Sequence, residues 1–404
     1  MNHDIPSPLF DTLDHLEKQG RNHLTPPQAQ DYHHGAMFLY SYRGSTMTFN
    51  AYRREVERLL HWSWQIQQKS INQLSRADFE SYLEFCQSPP KAWIGLKHVE
   101  RFTTKEGLRV PNPEWRPYVA TLSKKSIRDG NLPDARLYSP SRSALQAIFS
   151  ILSSFYNYLE QENYVTVNPV AQIRQKSKFI RKQSHKTPVR RLSELQWAYV
   201  IEMAEKMANE DPQRHERTLF IMNALFGLYL RISELAASPR WTPEMGHFFR
   251  DGDGHWWFKT VGKGNKERDI SVSDAMLDAL KRYRRSLGLS SLPSLGESTP
   301  LVSKLVGTGP IGDTRQIRNI VQACFDRAIS NLQADGFVED AEALMAATVH
   351  WLRHTGISED VKTRPREHVR DDAGHSSSAI TDRYIDIELR ARHASGRHKK
   401  IKVD

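Results

Sequence analysis

The sequence predicts a mainly α-helical chain of two domains that carries one small β-hairpin. Three observations lead there. At 404 residues the chain exceeds what a single hydrophobic core usually serves, so two domains, each with its own core, are expected. Apolar residues recur at helical spacing along most of its length. One pair of β-rich runs around a glycine-containing turn near residue 260 interrupts that pattern.

Helical periodicity first becomes clear in TFNAYRREVERLLHWSW, where Phe49, Tyr52, Val56, Leu59 and Leu60 share one side and Arg53, Arg54, Glu57 and Arg58 the other. A second helix is expected from Ser75, since SRAD reads as a capping box with Asp in place of Glu, followed by Phe79, Tyr82 and Leu83. A third, longer helix is expected from Ser139 as N-cap with Pro140 in the first turn. It carries Leu145, Ile148, Phe149, Leu152, Phe155 and Leu159, and ends before Asn168 and Pro169. Residues 88–138, rich in Pro, Trp and Lys, read as a loop-rich insertion with a short helix. After residue 191, Ser193 and Gln196 form a better capping box, with Leu192 and Trp197 placed as a hydrophobic staple. A helix with Leu219, Ile221, Met222, Leu225 and Phe226 follows and leads into LYLRISELAAS. HWWFKTV and ERDISVS then read as hairpin strands, with Gly262, Gly264 and Asn265 supplying the positive φ angles of the turn. The remainder reads as mostly helical, broken by a Gly, Ser and Pro cluster at 288–300.

Charge narrows the partner. The net charge of +10 and a pI near 9.4 favour a polyanion, nucleic acid or an anionic membrane, without implying sequence recognition or catalysis. No apolar run is long enough to span a bilayer and the first 20 residues lack the apolar core of a secretory signal, so no membrane role and a cytoplasmic location are expected. Cys86 and Cys324 are isolated thiols, which fits a reducing compartment and excludes a cysteine-based zinc site. The segment 174–191 contains Arg174, Lys176, Lys178, Arg181, Lys182, Lys186, Arg190 and Arg191 and no acid. It reads as an interdomain linker lying against a phosphate backbone, the alternative being a solvated hinge.

The last fifth of the chain concentrates reactive groups. HWLRHT supplies His350, Arg353 and His354; His375 follows in AGH, and Tyr384 comes nine positions later. A phenol with a pKa of about 10 is a poor nucleophile unless a proton acceptor and cations surround the attacked group. With LRISEL at Arg231 and GKGNKER at Lys263, these strings stand in the order of a known signature. The sequence resembles the tyrosine recombinases, the phage-integrase family, across residues 190–390, and more weakly across the helical half upstream, which is similar to that family's core-binding domain.

The resemblance implies a two-domain DNA clamp: an N-terminal extension at 1–45, a helical core-binding domain at 46–173, the basic linker at 174–191, a mixed α/β catalytic domain at 192–390 and a basic tail at 391–404. It implies a site-specific recombinase that integrates, excises or resolves DNA through a 3′-phosphotyrosine and a Holliday junction. Double-stranded DNA is the implied partner, with four protomers on two sites, accessory DNA-bending or directionality factors open, and no cofactor or metal. Tyr384 would be the nucleophile, Arg231 and Arg353 the phosphate clamp, Lys263 the acid for the leaving oxygen, His350 the proton acceptor and His375 a further phosphate donor.

Each assignment competes with a plainer one. Arg231 could answer a helix dipole, Lys263 could be an exposed turn lysine with Lys266 as a rival, His375 could cap a helix, and Tyr384 could be a core aromatic. His350 and His354 have a zinc-site spacing, but Trp351 stands where a metalloprotease motif needs Glu. Glu234 and His354 read as structural. The chain departs from the family pattern before Gly374, where Asp371, Asp372 and Ala373 replace the usual Leu, and two acids near a phosphate site are unexpected. The tail has few apolar anchors beyond Ile401 and Val403, so docking on a neighbouring protomer stays open. A type IB-like topoisomerase or a non-catalytic DNA-binding regulator are the competing functions.

Overall fold

The computed structural model describes residues 5–17, 24–122, 126, 127, 129–173, 190–262, 264–384 and 397. The chain divides into two compact units, Met1–His185 and Lys186–Asp404. No helix among the described residues is long and apolar enough to cross a membrane.

Unit 1 is helical, with α1 (Pro26–Ser41), α2 (Thr46–Trp62), α3 (Arg76–Gln87) and α4 (Arg142–Gln161). The capping box at Ser75 and Asp78 forms as read, each side chain taking the other residue's amide. The long helix starts later than expected. Ser141, not Ser139, is the N-cap and accepts from the Ala144 amide at 3.2 Å, which leaves Pro140 just outside the helix.

The described residues among 1–45, a stretch expected to be an extension, contribute to the unit's core instead. Leu9, Phe10, Tyr32, Ala36, Phe38 and Leu39 are buried with residues of α2, α3 and α4. Buried carboxylates tie this segment down. Glu57 accepts from the Leu9 amide at 2.6 Å and pairs with Arg101, and Asp31 accepts from Trp64, Ser70 and Tyr164. A buried charge needs such partners, so they fix where the segment can lie. The insertion at 88–138 holds more order than its composition suggested. β1 (Ile94–Gly95) pairs in parallel with β4 (Tyr118–Val119), and β2 (Phe102–Lys105) with β3 (Leu108–Pro111) antiparallel, over a small core of Trp93, Ile94, Tyr118 and Ala120.

Unit 2 opens with α5 (Glu194–Glu210), capped by Ser193 and Gln196 as read, then α6 (Pro212–Gly227) and the single turn α7 (Ile232–Leu235). Three antiparallel strands follow in the order β5 (Phe248–Arg250), β6 (Trp256–Val261) and β7 (Glu267–Ser271), so the expected hairpin gains a third strand. At its turn Gly264 and Asn265 have φ of 80° and 59°. Gly262 does not; it serves close approach, as described below. The remaining helices are α8 (Asp274–Ser286), α9 (Thr314–Ala334), α10 (Val338–Met345), α11 (Val349–Asp360), α12 (Arg366–Ala373) and α13 (Ser378–Thr381).

Helix α11 carries His350, Arg353 and His354, and its seat on α6 decides where they point. Gly356 makes that seat possible, since a Cβ there would overlap the Phe226 carbonyl oxygen. Gly356→Ala should therefore destabilise the protein by about 1–3 kcal/mol in denaturant unfolding, because a backbone oxygen cannot step aside as a side chain can. Gly227→Ala is the comparison: its Cβ would meet Met276 at an ordinary 3.5 Å and should be tolerated.

Candidate active site

The site forms where α7, α11, the end of α12 and the segment that ends at Tyr384 converge. Arg231 caps α7 and follows Tyr229, whose φ of 49° lies in the left-handed region. Such a backbone is costly for a bulky residue and persists only where the surroundings hold it. Glu234, 1% exposed, accepts from the Arg231 amide at 2.8 Å and from its Nη1 at 2.9 Å. Arg268 on β7 adds a bidentate pair to the same carboxylate, at 2.9 and 2.8 Å. Burial pushes the Glu234 pKa up, but the two guanidiniums outweigh it and hold the carboxyl below the usual range. Glu234 is thus the orienting partner read from the sequence. Arg268 was not singled out; it becomes identifiable only once the hairpin lies against α7.

Gly262 abuts this cluster. A Cβ there would come within 2.9 Å of Arg268 Nη1 and 3.2 Å of Glu234 Oε1, so any larger residue would have to displace that ion pair for the hairpin turn to approach as closely. Lys263, the next residue, lies outside the described residues, and Lys266 is exposed.

Arg353 is 2% exposed. Its Nη1 donates to the Tyr229 carbonyl and its Nη2 to the Ala373 carbonyl, the latter at 2.6 Å. Burial, reinforced by the charge of Arg231, draws its pKa down to about 9. Two guanidiniums held together in a poorly solvated place repel, and an anion between them relieves the repulsion. The same environment acts on the imidazoles. Burial first, then Arg353 and Arg231, lowers the pKa of His350, and the same causes with Arg268 take His375 to about 4. Both are therefore neutral at pH 7.

Tyr384 is 7% exposed and sits among Tyr229, Ile357, Val369 and Ala373. Its hydroxyl lies 2.5 Å from His354 Nδ1, and its ring stacks on His375 with centroids 5.6 Å apart and planes at 15°. His375 Nδ1 is in turn 2.9 Å from Thr381 Oγ1. Gly374 supplies the turn that brings His375 back, with φ of 63° at the C-terminus of α12. One expectation changes here. His350, read as the proton acceptor, is not the imidazole set against the phenol. His354, read as structural, is, and the His350 ring packs edge-on against it at 4.3 Å between centroids. Both project from one helix face four residues apart, so sequence alone could not tell which one Tyr384 would reach.

The two acids before Gly374 also find their explanation. Asp372 is buried and accepts from Arg364 at 2.6 Å and from the Ser271 hydroxyl at 2.6 Å, while Asp371 pairs with Arg370. Neither is an unpaired charge beside the arginines. Of the linker cations, Arg190 is exposed and Arg191 lies 3.9 Å from Glu359; Arg174, Lys176, Lys178, Arg181, Lys182 and Lys186 lie outside the described residues, as does nearly all of the 391–404 tail.

The depressed imidazoles make a stability prediction. Above pH 6.5 His375 is neutral in both folded and unfolded chains, so it contributes no pH dependence there. As pH falls below 6.5 the unfolded chain takes up a proton that the folded chain refuses until about pH 4, so stability is lost over that window. Melting temperature should fall on acidification from pH 7 to pH 5, and His375→Gln should reduce that slope; an unchanged slope would count against a neutral His375.

A helical unit followed by a mixed unit with a phenol among arginines and histidines is the architecture of tyrosine recombinases, and the comparisons with solved structures show the same fold. The chain is similar to the XerH site-specific recombinase bound to a palindromic difH substrate in a post-cleavage complex, with a TM-score of 0.55 at 11% identity over 92% of this chain and 85% of that one. It is also similar to the Tn1549 transposon integrase in complex with transposon right end DNA, with a TM-score of 0.51 at 15% identity over 90% and 97%. No family model matches the sequence. In sequence it is 26% identical over 272 residues to the tyrosine recombinase XerC of Thermodesulfovibrio yellowstonii, covering 65% of this chain and 77% of that protein. It is 24% identical over 233 residues to XerC of Chlorobaculum parvum, covering 55% of this chain and 61% of that protein. In sequence and in fold the chain is thus similar to tyrosine recombinases.

Proposed function

We propose that the protein is a site-specific DNA recombinase that integrates, excises or resolves DNA using Tyr384 as nucleophile. The observation that carries this reading is the Tyr384 hydroxyl hydrogen-bonded to His354 at 2.5 Å beside the buried guanidinium of Arg353. In the reaction, the phenol oxygen attacks a DNA phosphate in line and its proton passes to the imidazole against it. A 3′-phosphotyrosine bond forms as the bond to the 5′ oxygen breaks, and that oxygen leaves as a hydroxyl, protonated by Lys263. The transferred phosphoryl bond is retained, so rejoining to a 5′ hydroxyl of another strand needs no nucleotide cofactor.

Arg231 and Arg353 hold the non-bridging oxygens, for which planar, permanently charged guanidinium suits bidentate contact. Neutral His350 and His375 complete the shell as hydrogen-bond donors. The Thr381 hydroxyl, 2.9 Å from Nδ1 of His375, orients that ring, and the tautomer in which the hydroxyl donates to Nδ1 leaves the proton on Nε2 for the phosphate. Exchange between two DNA sites would use four protomers and a Holliday junction, with the 174–191 cations on the phosphate backbone.

A nicked suicide substrate made from the DNA flanking the gene tests the reading. The wild-type protein should become covalently attached to it, and two marked substrates should yield joined recombinants. Absence of any adduct across those substrates would overturn the reading, and adducts that only relax supercoils without joining two DNAs would assign the chemistry to a topoisomerase.

A further inference from the structure

Arg364 lies outside every reactive string of the sequence, yet it touches the side chain of one residue that anchors Arg353 and the side chain next to the other. The Arg353 guanidinium is aimed by the carbonyls of Tyr229 and Ala373. Those carbonyls belong to segments far apart in the chain, and nothing in α11 itself determines their spacing. Arg364, which follows α11, bridges them. Its Nη1 donates to the Tyr229 hydroxyl at 2.9 Å and to Asp360 Oδ2 at 3.0 Å. Its Nη2 donates to Asp372 Oδ2 at 2.6 Å and to the Ser271 hydroxyl at 3.0 Å. The Tyr229 hydroxyl also donates to Asp360. One guanidinium therefore fixes the side chain of Tyr229, whose own carbonyl holds Arg353, and that of Asp372, whose neighbour Ala373 holds it from the other side.

The backbone at these places needs outside support. Tyr229 sits at φ 49°, a conformation that a bulky side chain adopts only when its contacts enforce it. Asp372 is a buried carboxylate that only paired cations and hydroxyls make tolerable. Remove Arg364 and Tyr229 loses a donor while Asp372 loses its counter-charge, so the segments that carry both carbonyl anchors are loosened together, though Asp360, Ser271 and Arg268 still hold them in part. A second strand of the same network runs through Arg268, whose Nε donates to the Asp372 carbonyl at 3.0 Å while its Nη atoms hold Glu234 and hence Arg231.

Resting on the recombinase reading above, we infer that Arg364 is a positioning residue for strand cleavage, holding Tyr229 and Asp372 so that their segments aim Arg353 at the scissile phosphate. It acts through Arg353 and touches no DNA. The planar fork is essential, since its two nitrogens each serve a different segment; a lysine nitrogen is a single point and reaches one of them.

The test measures single-turnover covalent attachment on the nicked substrate alongside DNA affinity and melting temperature. Arg364→Ala should slow attachment by about tenfold to a hundredfold, the range expected when a catalytic group is displaced by a fraction of an ångström to an ångström, with DNA affinity within about twofold of wild type. Arg364→Lys should fall between the two. Tyr229→Phe keeps the carbonyl and the ring and removes only the hydroxyl, so it serves if the Ala variant fails to fold. It should slow attachment alone, and combined with Arg364→Lys it should cost less than the product of the single effects, because both act on one link. Wild-type attachment rates in Arg364→Lys and Tyr229→Phe would overturn the inference, as would a loss of DNA affinity matching the loss in rate. Failure of the wild type to attach would instead overturn the recombinase reading itself.

Discussion

Tyr384→Phe should abolish the covalent protein–DNA adduct while leaving DNA affinity within about twofold of wild type. The substitution removes one oxygen and no other contact. The ring keeps its stack on His375 and its apolar neighbours Tyr229, Ile357, Val369 and Ala373, while the hydroxyl's hydrogen bond to His354, worth about 1 kcal/mol, is lost. In the proposed reaction phosphate capture falls to the arginines, which remain. Adduct formation is measured on the nicked substrate and affinity on the intact duplex. A surviving adduct would show that another residue attacks.

Arg353→Lys should reduce the attachment rate by at least about a hundredfold, the cost of removing one well-placed donor to a developing anion. It should also destabilise the protein, by about 1–3 kcal/mol, because a single ammonium cannot satisfy the carbonyls of both Tyr229 and Ala373 and one is left buried without a partner. Arg231→Lys offers the contrast. That side chain is 28% exposed and its own bond is to Glu234, which keeps Arg268, so it should lose a comparable rate with much less stability. Single-turnover kinetics and denaturant unfolding separate the two effects. A near-wild-type rate in Arg353→Lys would remove Arg353 from the phosphate clamp.

Much of the local structure was legible from the chain. The capping boxes at Ser75 and Ser193 form as their spacing requires, because a cap is a contract between residues three apart. The hairpin turn follows from Gly264 and Asn265 for the same local reason. The cap at Ser141 was misplaced to Ser139 since two serines flank one proline and either satisfies the local rule. Non-local partners were not legible. The packing of residues 1–45 into the helical core depends on Asp31 and Glu57 meeting residues up to 133 positions away, and neither periodicity nor composition encodes such a meeting.

The sequence by itself determined the helical character and the likeness to tyrosine recombinases, and it supplied the candidate reactive groups: ordered strings around Arg231, Arg353, His375 and Tyr384 carry that information in their residue types. Only the tertiary structure decided which imidazole meets the phenol, what partners the two acids before Gly374, and which side chains hold Arg231 and Arg353. The physical reason is geometric. A side chain's chemistry belongs to its residue type, whereas its protonation, orientation and partner depend on distances of about 3 Å between segments that lie far apart in the chain.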